Sequence, residues 1–316
     1  MSTENDIKQD IELPDVQLNI VKPKQPIEVP IVENRIATKN ASPNFIRHIV
    51  FDISGTELEG NVIAGQSIGI VPDILDKDGK YPKLRLYSVA SPTNGEDGGG
   101  KYISTTVKRL LDEHWENQSI FMGVCSNYLA TLKPGSKVKM TGPSGKRFLL
   151  PKNPENYNYL FFATGTGIAP FRGMIMDLME KNVKSEIALI FGCPYRTDLL
   201  YSEYLQPLAE SRANFHYLKS ISREDPRKDG SKHYVQTQIE DESELLHPIL
   251  KQDNTLIYVC GLKGMETGIY KSLAKYGFKD YLKISEKIAG KDPDDWDKED
   301  LKRNVKPSNR MFLEVY

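Results

Sequence analysis

The chain has 316 residues, enough for two domains of roughly 150 residues, each able to bury a core of its own. Its formal net charge is −1, so no global field points to nucleic acid, and no window approaches the roughly 18 apolar residues that a transmembrane helix needs. Cys125, Cys193 and Cys260 lie far apart and the five histidines are scattered, a pattern that argues against a disulfide framework or a metal site.

Residues 1 to about 40 are polar and dotted with Pro14, Pro23, Pro26 and Pro30. They read as a flexible leader with one edge strand at Ile27–Val32. The acidic start, with Glu4, Asp6 and Asp10, suits neither a secretory signal nor a transit peptide. It predicts a cytoplasmic protein, or a mature organellar form whose targeting segment is absent. Residues 41–152 carry short strand-like runs at His48–Ile53, Ser67–Val71, Leu84–Val89 and Ser136–Met140, a Gly-rich loop from Pro92 to Gly100, and one short helix at Val124–Thr131. Such punctuation predicts a small antiparallel β-barrel. Over 153–316 the period changes. Apolar runs at Tyr159–Ala163, Glu186–Phe191, Phe215–Ile221 and Leu256–Cys260 alternate with helical spacing at Pro170–Glu180, Asp198–Ser211, Gln236–Leu250 and Gly264–Tyr276, and Met311–Tyr316 closes the chain as a last strand. This predicts an α/β domain with a parallel sheet covered on both faces. Residues 290–308, rich in Lys and Asp, read as a solvated excursion.

Several short stretches carry chemistry. On a strand at 85–88, Arg85 and Tyr87 share one face and can hold a pyrophosphate and pack against a flat ring, although an ordinary strand with a surface Arg has the same appearance. Gly123-Val124-Cys125-Ser126 opens the short helix, whose first amides can bind an anion, and Ser126 could equally be a plain N-cap. Gly165-Thr166-Gly167-Ile168-Ala169-Pro170 joins a strand to a helix and lets backbone approach a ligand, yet Pro170 replaces the third glycine of the usual dinucleotide fingerprint. Ser222 and Arg223, with Lys232 and Tyr234, follow the third strand, where the 2′-phosphate of NADP needs cations and hydroxyls; a solvated loop is the plainer alternative. Cys260 ends a strand where open α/β sheets place ligands, and the chain ends on Glu314-Val315-Tyr316, an aromatic close unlike a frayed tail.

In their order along the chain, RLYS (85–88), TVKRL (106–110), GVCSN (123–127), TGPSGK (141–146), ATGTGIAPFR (163–172), SRE (222–224), CGLKGME (260–266) and the final EVY resemble the plant-type ferredoxin–NADP+ reductase family, over about Asn44 to Tyr316. The resemblance implies an FAD-binding β-barrel domain at 41–152, an NADP-binding α/β domain at 153–316, and hydride exchange between NADP(H) and FAD coupled to one-electron transfer with ferredoxin or flavodoxin. By that resemblance Arg85, Leu86, Tyr87 and Ser88 hold the flavin and its phosphates, and Thr106, Val107 and Lys108 line the FAD chain. Gly123, Val124, Cys125 and Ser126 complete the cradle with Thr166 nearby, and Tyr316 stacks on the open flavin face. Ser222, Arg223, Lys232, Tyr234, Gln236 and Leu262 would take NADP. Ser88, Cys260, Glu314 and Tyr316 are the implied catalytic set: Ser88 hydrogen-bonds near flavin N5, Cys260 aligns the nicotinamide, Glu314 bonds Ser88 and serves proton balance, and Tyr316 swings aside for nicotinamide.

Two departures stand out. Where the plastid proteins carry an adenine-stacking Tyr, this chain reads Asp112 followed by His114 and Trp115, which makes Trp115 the candidate platform, and the stretch 279–309 is longer than the family's. Lys133, Lys137, Lys139, Lys146 and Arg147 are candidates for steering an acidic carrier protein. Two alternatives share the same residues: an NADPH-dependent donor of the diflavin-reductase type, and a non-catalytic NADP-binding module. Nothing in the sequence demands more than a monomer.

Overall fold

The protein was analysed as a computed structural model that describes residues 11–75, 79–80, 83–113 and 118–316. Its first half is a six-stranded antiparallel sheet built from β1 (Ile27–Ile36), β2 (Ile46–Asp52), β3 (Ser67–Val71), β4 (Arg85–Ser88), β5 (Tyr102–Lys108) and, after a ribbon of β6 (Leu111–Glu113) with β7 (Ile120–Met122) and helix α1 (Val124–Thr131), β8 (Lys137–Ser144). The order is β4-β3-β8-β1-β2-β5. A bridge between Val89 and Thr105, with the Thr105 hydroxyl donating to the Ser88 carbonyl at 2.8 Å, closes the two ends into a barrel. Alternate residues point inward as the pleat requires: Val29 and Ile31, Ile49, Phe51 and Ile53, Ile68 and Ile70, Ile103 and Val107, Val138 and Met140 share one core.

The expected leader is built into this domain over its described part. β1 lies inside the sheet, paired with β8 over 27–30 and with β2 over 31–36, rather than at an edge. Upstream of it, the Asn19 amide donates to the Pro143 carbonyl at 2.8 Å, and the Lys152 amide donates to the Glu12 carbonyl at 2.9 Å. The strand expected at Ile27–Val32 is present, but it runs on to Ile36 and lies in the sheet interior, a place its prolines argued against because proline is normally confined to sheet edges.

The second half alternates as its periodicity predicts: β9 (Asn158–Thr164), α2 (Ile168–Glu180), β10 (Ile187–Cys193), α3 (Ser202–Ser211), β11 (Phe215–Ile221), α4 (Gln238–Asp241), α5 (Ser243–Leu250), β12 (Thr255–Gly261), α6 (Met265–Lys275), β13 (Leu282–Ile284), α7 (Lys298–Arg303), β14 (Val305–Pro307) and β15 (Met311–Val315). β9 to β12 and β15 form a five-stranded parallel sheet in the order β11-β10-β9-β12-β15. Both faces are covered. Tyr159, Phe161 and Tyr258 pack on one side with Phe171 of α2, and Leu160, Phe162, Ile257 and Val259 pack on the other with Ile269 of α6. The stretch 290–308 is more than a solvated excursion. Trp296 is 3% exposed and packs, with Ile288 and Val305, on the second face, and an Asp297–Asp300 capping box starts α7.

Strand order turns back between β9 and β12, so the loops leaving their carboxyl ends diverge there, the place where open α/β sheets receive ligands. The two domains are joined beside it by a buried polar cluster. Arg172 of α2 holds Glu96 of the barrel through Nη1 at 2.6 Å and Nη2 at 3.0 Å and also donates to the Ala90 carbonyl at 2.9 Å. The Tyr201 hydroxyl, at the head of α3, meets the Thr106 hydroxyl at 2.5 Å and His48 Nδ1 at 3.0 Å.

Candidate functional site

At the switch point the chain terminus meets the β9–α2 turn. Parallel pairing sets Glu314 of β15 opposite Cys260 of β12, and Val315 opposite Gly261. The Tyr316 amide donates to the Gly261 carbonyl at 3.0 Å and the Lys263 amide donates to the Tyr316 carbonyl at 2.9 Å, so the final residue is held by main chain on both sides. The residue is 59% exposed while its hydroxyl shares a 2.5 Å hydrogen bond with Thr166. Gly167 lies so close to β12 that a Cβ there would sit 2.1 Å from the Cys260 carbonyl oxygen, which is why the turn needs glycine. Cys260 is fully buried, and that burial, with the Glu314 charge behind it, pushes its thiol well above the usual range.

The barrel contributes Ser88, whose hydroxyl faces the Glu314 carboxyl across the domain boundary. Burial raises that carboxyl to about 7 even though the Ser88 hydroxyl pulls the other way. Ser88, Glu314, Cys260, Thr166 and Tyr316 are thus brought into one cluster, drawn from β4, β12, β15 and the β9–α2 turn. Further along β4, Tyr87 faces the Cys125 thiol of α1, and burial first, then that thiol, holds the phenol far above its ordinary value. Leu86 is 57% exposed, and Arg85 is exposed with no ion pair among the described residues. Gly123 is the N-cap of α1, with no side-chain cap. Ser126 is not the N-cap: its hydroxyl accepts from the Leu110 amide and donates to the Gly123 carbonyl, both at 3.2 Å. The first-turn amides at Val124, Cys125 and Ser126 therefore lack helical acceptors beside an exposed guanidinium, an arrangement able to hold a phosphate.

Thr106 and Val107 face elsewhere. The Thr106 hydroxyl is spent on Tyr201 in the domain interface and Val107 is 2% exposed inside the barrel, so only their main chain and the exposed Lys108 remain open. Trp115 and His114 lie outside the described residues. Of the lysine group, Lys139 is paired with Asp73 at 2.9 Å, whereas Lys146 and Arg147 are exposed and follow Gly145, where a Cβ would stand 3.9 Å from Glu314 Oε1.

Beyond β11, Arg223 is exposed and its Nη1 donates to the Tyr195 hydroxyl at 2.7 Å. Lys232 and Tyr234 are exposed on the same segment, with Tyr234 at 43%. Gln236 is half-buried against α6, touching the position where Gly268 lacks a Cβ, and Leu262 is 66% exposed with its amide donating to the Thr164 hydroxyl at 3.0 Å. Ser222 is half-buried at the end of β11, its amide tied to the Cys193 carbonyl at 3.0 Å.

The family described as "Oxidoreductase NAD-binding domain" matches residues 161–271. A ferredoxin–NADP reductase of Spirulina is 37% identical over 308 residues, covering 96% of this chain and 99% of that protein. The chloroplastic leaf isozyme 1 of Arabidopsis thaliana is 40% identical over 307 residues, 95% of this chain and 80% of that protein. The chain belongs to the ferredoxin–NADP+ reductase family. In solved structures, the Plasmodium falciparum ferredoxin–NADP+ reductase shares the fold, with a TM-score of 0.70 at 23% identity over 94% of this chain and 99% of that one; its form with 2'P-AMP gives 0.69 at 22% over the same shares. Within this ferredoxin–NADP+ reductase fold, sequence reasoning passed over three hydroxyl residues that hold candidate residues in place. Thr164 accepts from the Leu262 amide, Tyr195 accepts from Arg223, and Tyr201 meets Thr106 in the domain interface. A hydroxyl at a strand end is a weak signal alone, because many such residues only finish a turn.

Proposed function

We propose that this ferredoxin–NADP+ reductase family member exchanges hydride between NADP(H) and a bound FAD, and passes single electrons to or from ferredoxin or flavodoxin, acting as a monomer. The setting is the cytoplasm or, as in the chloroplastic plant relatives, an organelle; among the described residues no helix is long and apolar enough to cross a membrane. The observation that carries the reading is the meeting of Ser88 and Glu314 from the two domains, beside the exposed Tyr316 and the buried Cys260.

The residues fit both groups. Arg85 and the free first-turn amides of α1 suit a pyrophosphate, and the exposed Leu86 and Tyr316 with the half-buried Tyr87 offer apolar and aromatic surface to a flat ring. FAD, when bound, takes two electrons as hydride and releases them singly. The protein's share is placement and electrostatics. Ser88 presents its hydroxyl at the reacting edge while Glu314, poised near neutral pH, gives or takes a proton through it. Cys260 closes the floor as an un-ionised thiol against which a nicotinamide aligns. Tyr316 stands in the nicotinamide's place and yields by breaking its bond to Thr166. Arg223, Ser222, Lys232 and Tyr234 take the adenylate and its 2′-phosphate, with Gln236 and Leu262 at the edge of that site. Lys146 and Arg147, beside Glu314, receive the acidic carrier. The purified holoenzyme is expected to reduce a plant-type ferredoxin with NADPH, at a rate that falls as ionic strength rises. No transfer to ferredoxin or flavodoxin under any salt condition would overturn the proposal.

A further inference from the structure

Two loops leave the carboxyl ends of β10 and β11 and are fastened together residue by residue. The Ser222 amide donates to the Cys193 carbonyl at 3.0 Å and the Arg223 amide to the Pro194 carbonyl at 3.1 Å. In return the Arg196 amide donates to Glu224 at 2.6 Å, and the Arg196 guanidinium is paired with Asp225. The Cys193 thiol donates to the Tyr195 carbonyl at 3.2 Å, fixing the peptide that carries the Tyr195 ring.

The two arginines of this clamp have opposite states. Arg196 occupies the two carboxylates that follow Arg223 in sequence, Glu224 through its amide and Asp225 through its guanidinium. Arg223 has no carboxylate partner among the described residues; it is steadied by the neutral Tyr195 hydroxyl at 2.7 Å, with the guanidinium carbon 5.4 Å from the Tyr195 ring centroid. A phenol hydroxyl takes one of the five guanidinium N–H groups and leaves the charge undiminished, so the remaining donors stay free for a second anion. A carboxylate at the same place would have consumed both charge and fork.

Resting on the NADP reading above, we propose that Tyr195 is the positioning residue for 2′-phosphate recognition. It holds Arg223 in the phosphate-binding rotamer, while Arg196 removes the competing carboxylates. Tyr195 acts through Arg223 and contributes little to the rest of the nucleotide. Its removal therefore costs affinity only where a 2′-phosphate is present and only while Arg223 is there to be positioned.

The test is calorimetric binding of 2′-phospho-AMP and of 5′-AMP to the FAD-loaded protein and to Tyr195→Phe, Arg223→Ala and the double variant. Tyr195→Phe is expected to weaken 2′-phospho-AMP about three- to tenfold, the scale of one hydrogen bond, to leave 5′-AMP unchanged, and to have no effect in the Arg223→Ala background. Equal loss for both nucleotides, an undiminished loss without Arg223, or no loss at all would overturn the role of Tyr195 while leaving the NADP reading in place. A wild-type protein that binds 2′-phospho-AMP no better than 5′-AMP would remove the NADP reading, and this inference with it.

Discussion

Glu314 is the residue whose chemistry depends most on its surroundings. Burial lifts its carboxyl to about 7, and the Ser88 hydroxyl restrains that rise. The rate of flavin reduction by NADPH should show an inflexion near pH 7 that disappears in Glu314→Gln, read by stopped-flow across pH 5.5–8.5. In Ser88→Ala the restraint is gone, so the inflexion should move to higher pH while the rate falls by about tenfold or more, the lower end of what a proton-transferring hydroxyl contributes. A Ser88→Ala enzyme with wild-type rate would remove Ser88 from the reacting edge. Because the folded carboxyl binds its proton more tightly than the unfolded one, its ionisation also costs stability, and this cost grows as pH rises from the ordinary carboxyl range to about 7. For Tyr316, the bond to Thr166 fixes the ring in the place that the proposal gives to nicotinamide. Tyr316→Ser should bind NADP+ more tightly and accept NADH more readily, as measured by difference spectroscopy and by the NADPH-to-NADH ratio of kcat/KM.

The elements that form the site were largely legible because each has a strong local signal. Apolar runs buried on both faces, such as Leu189 to Phe191, mark parallel strands, and glycines at the strand ends mark turns that approach a neighbour. Gly167 shows how strict this is. Gly167→Ala would drive a Cβ into the Cys260 carbonyl, so the β9–α2 turn must part from β12. The expected cost is about 1–3 kcal/mol, seen as a melting point lower by several degrees, with flavin reduction impaired as well. What was illegible lacked a period. Pro26 and Pro30 made β1 read as an edge strand, whereas it lies inside the sheet and its inward residues Val29 and Ile31 are part of the barrel core. In 279–309, Trp296 and Ile288 are isolated apolar residues in a charged stretch, and nothing in their spacing announces that they cover a sheet face. Thr106 was assigned from its motif, but a strand's alternation does not say which neighbouring domain its outward side chain will meet; here that neighbour is Tyr201.

At the scale of the molecule, the site exists only while the domains stay docked, because Ser88 belongs to one and Glu314 to the other. The docking cluster carries its own pH signature. Burial, aided by the charge of Arg172, lowers His48 to about 3, so it is neutral in the folded protein. The unfolded chain protonates this imidazole below about pH 6.5, so its contribution to stability shrinks by about 1.4 kcal/mol per pH unit as pH falls from there. Burial alone would raise Glu96, but the Arg172 hydrogen bond and charge, with the Ser104 bond, outweigh it and hold the carboxyl below its usual range. That contribution is lost only in more acid solution, as pH falls through the folded value. Denaturant melts between pH 7 and 4 should therefore steepen toward acid, and His48→Gln should flatten the slope. Arg172→Ala, which leaves Glu96 buried without its cation, should cost about 3–5 kcal/mol. The central claim, hydride exchange between NADP(H) and FAD at the Ser88–Glu314 boundary, is tested most directly by anaerobic titration of the purified protein with NADPH and then NADH, following the visible flavin band. The account predicts a yellow protein bleached by NADPH at about a hundredfold lower concentration than NADH, the scale of two charge-assisted hydrogen bonds to the 2′-phosphate; a colourless protein, or a flavin that neither nucleotide reduces, would contradict it.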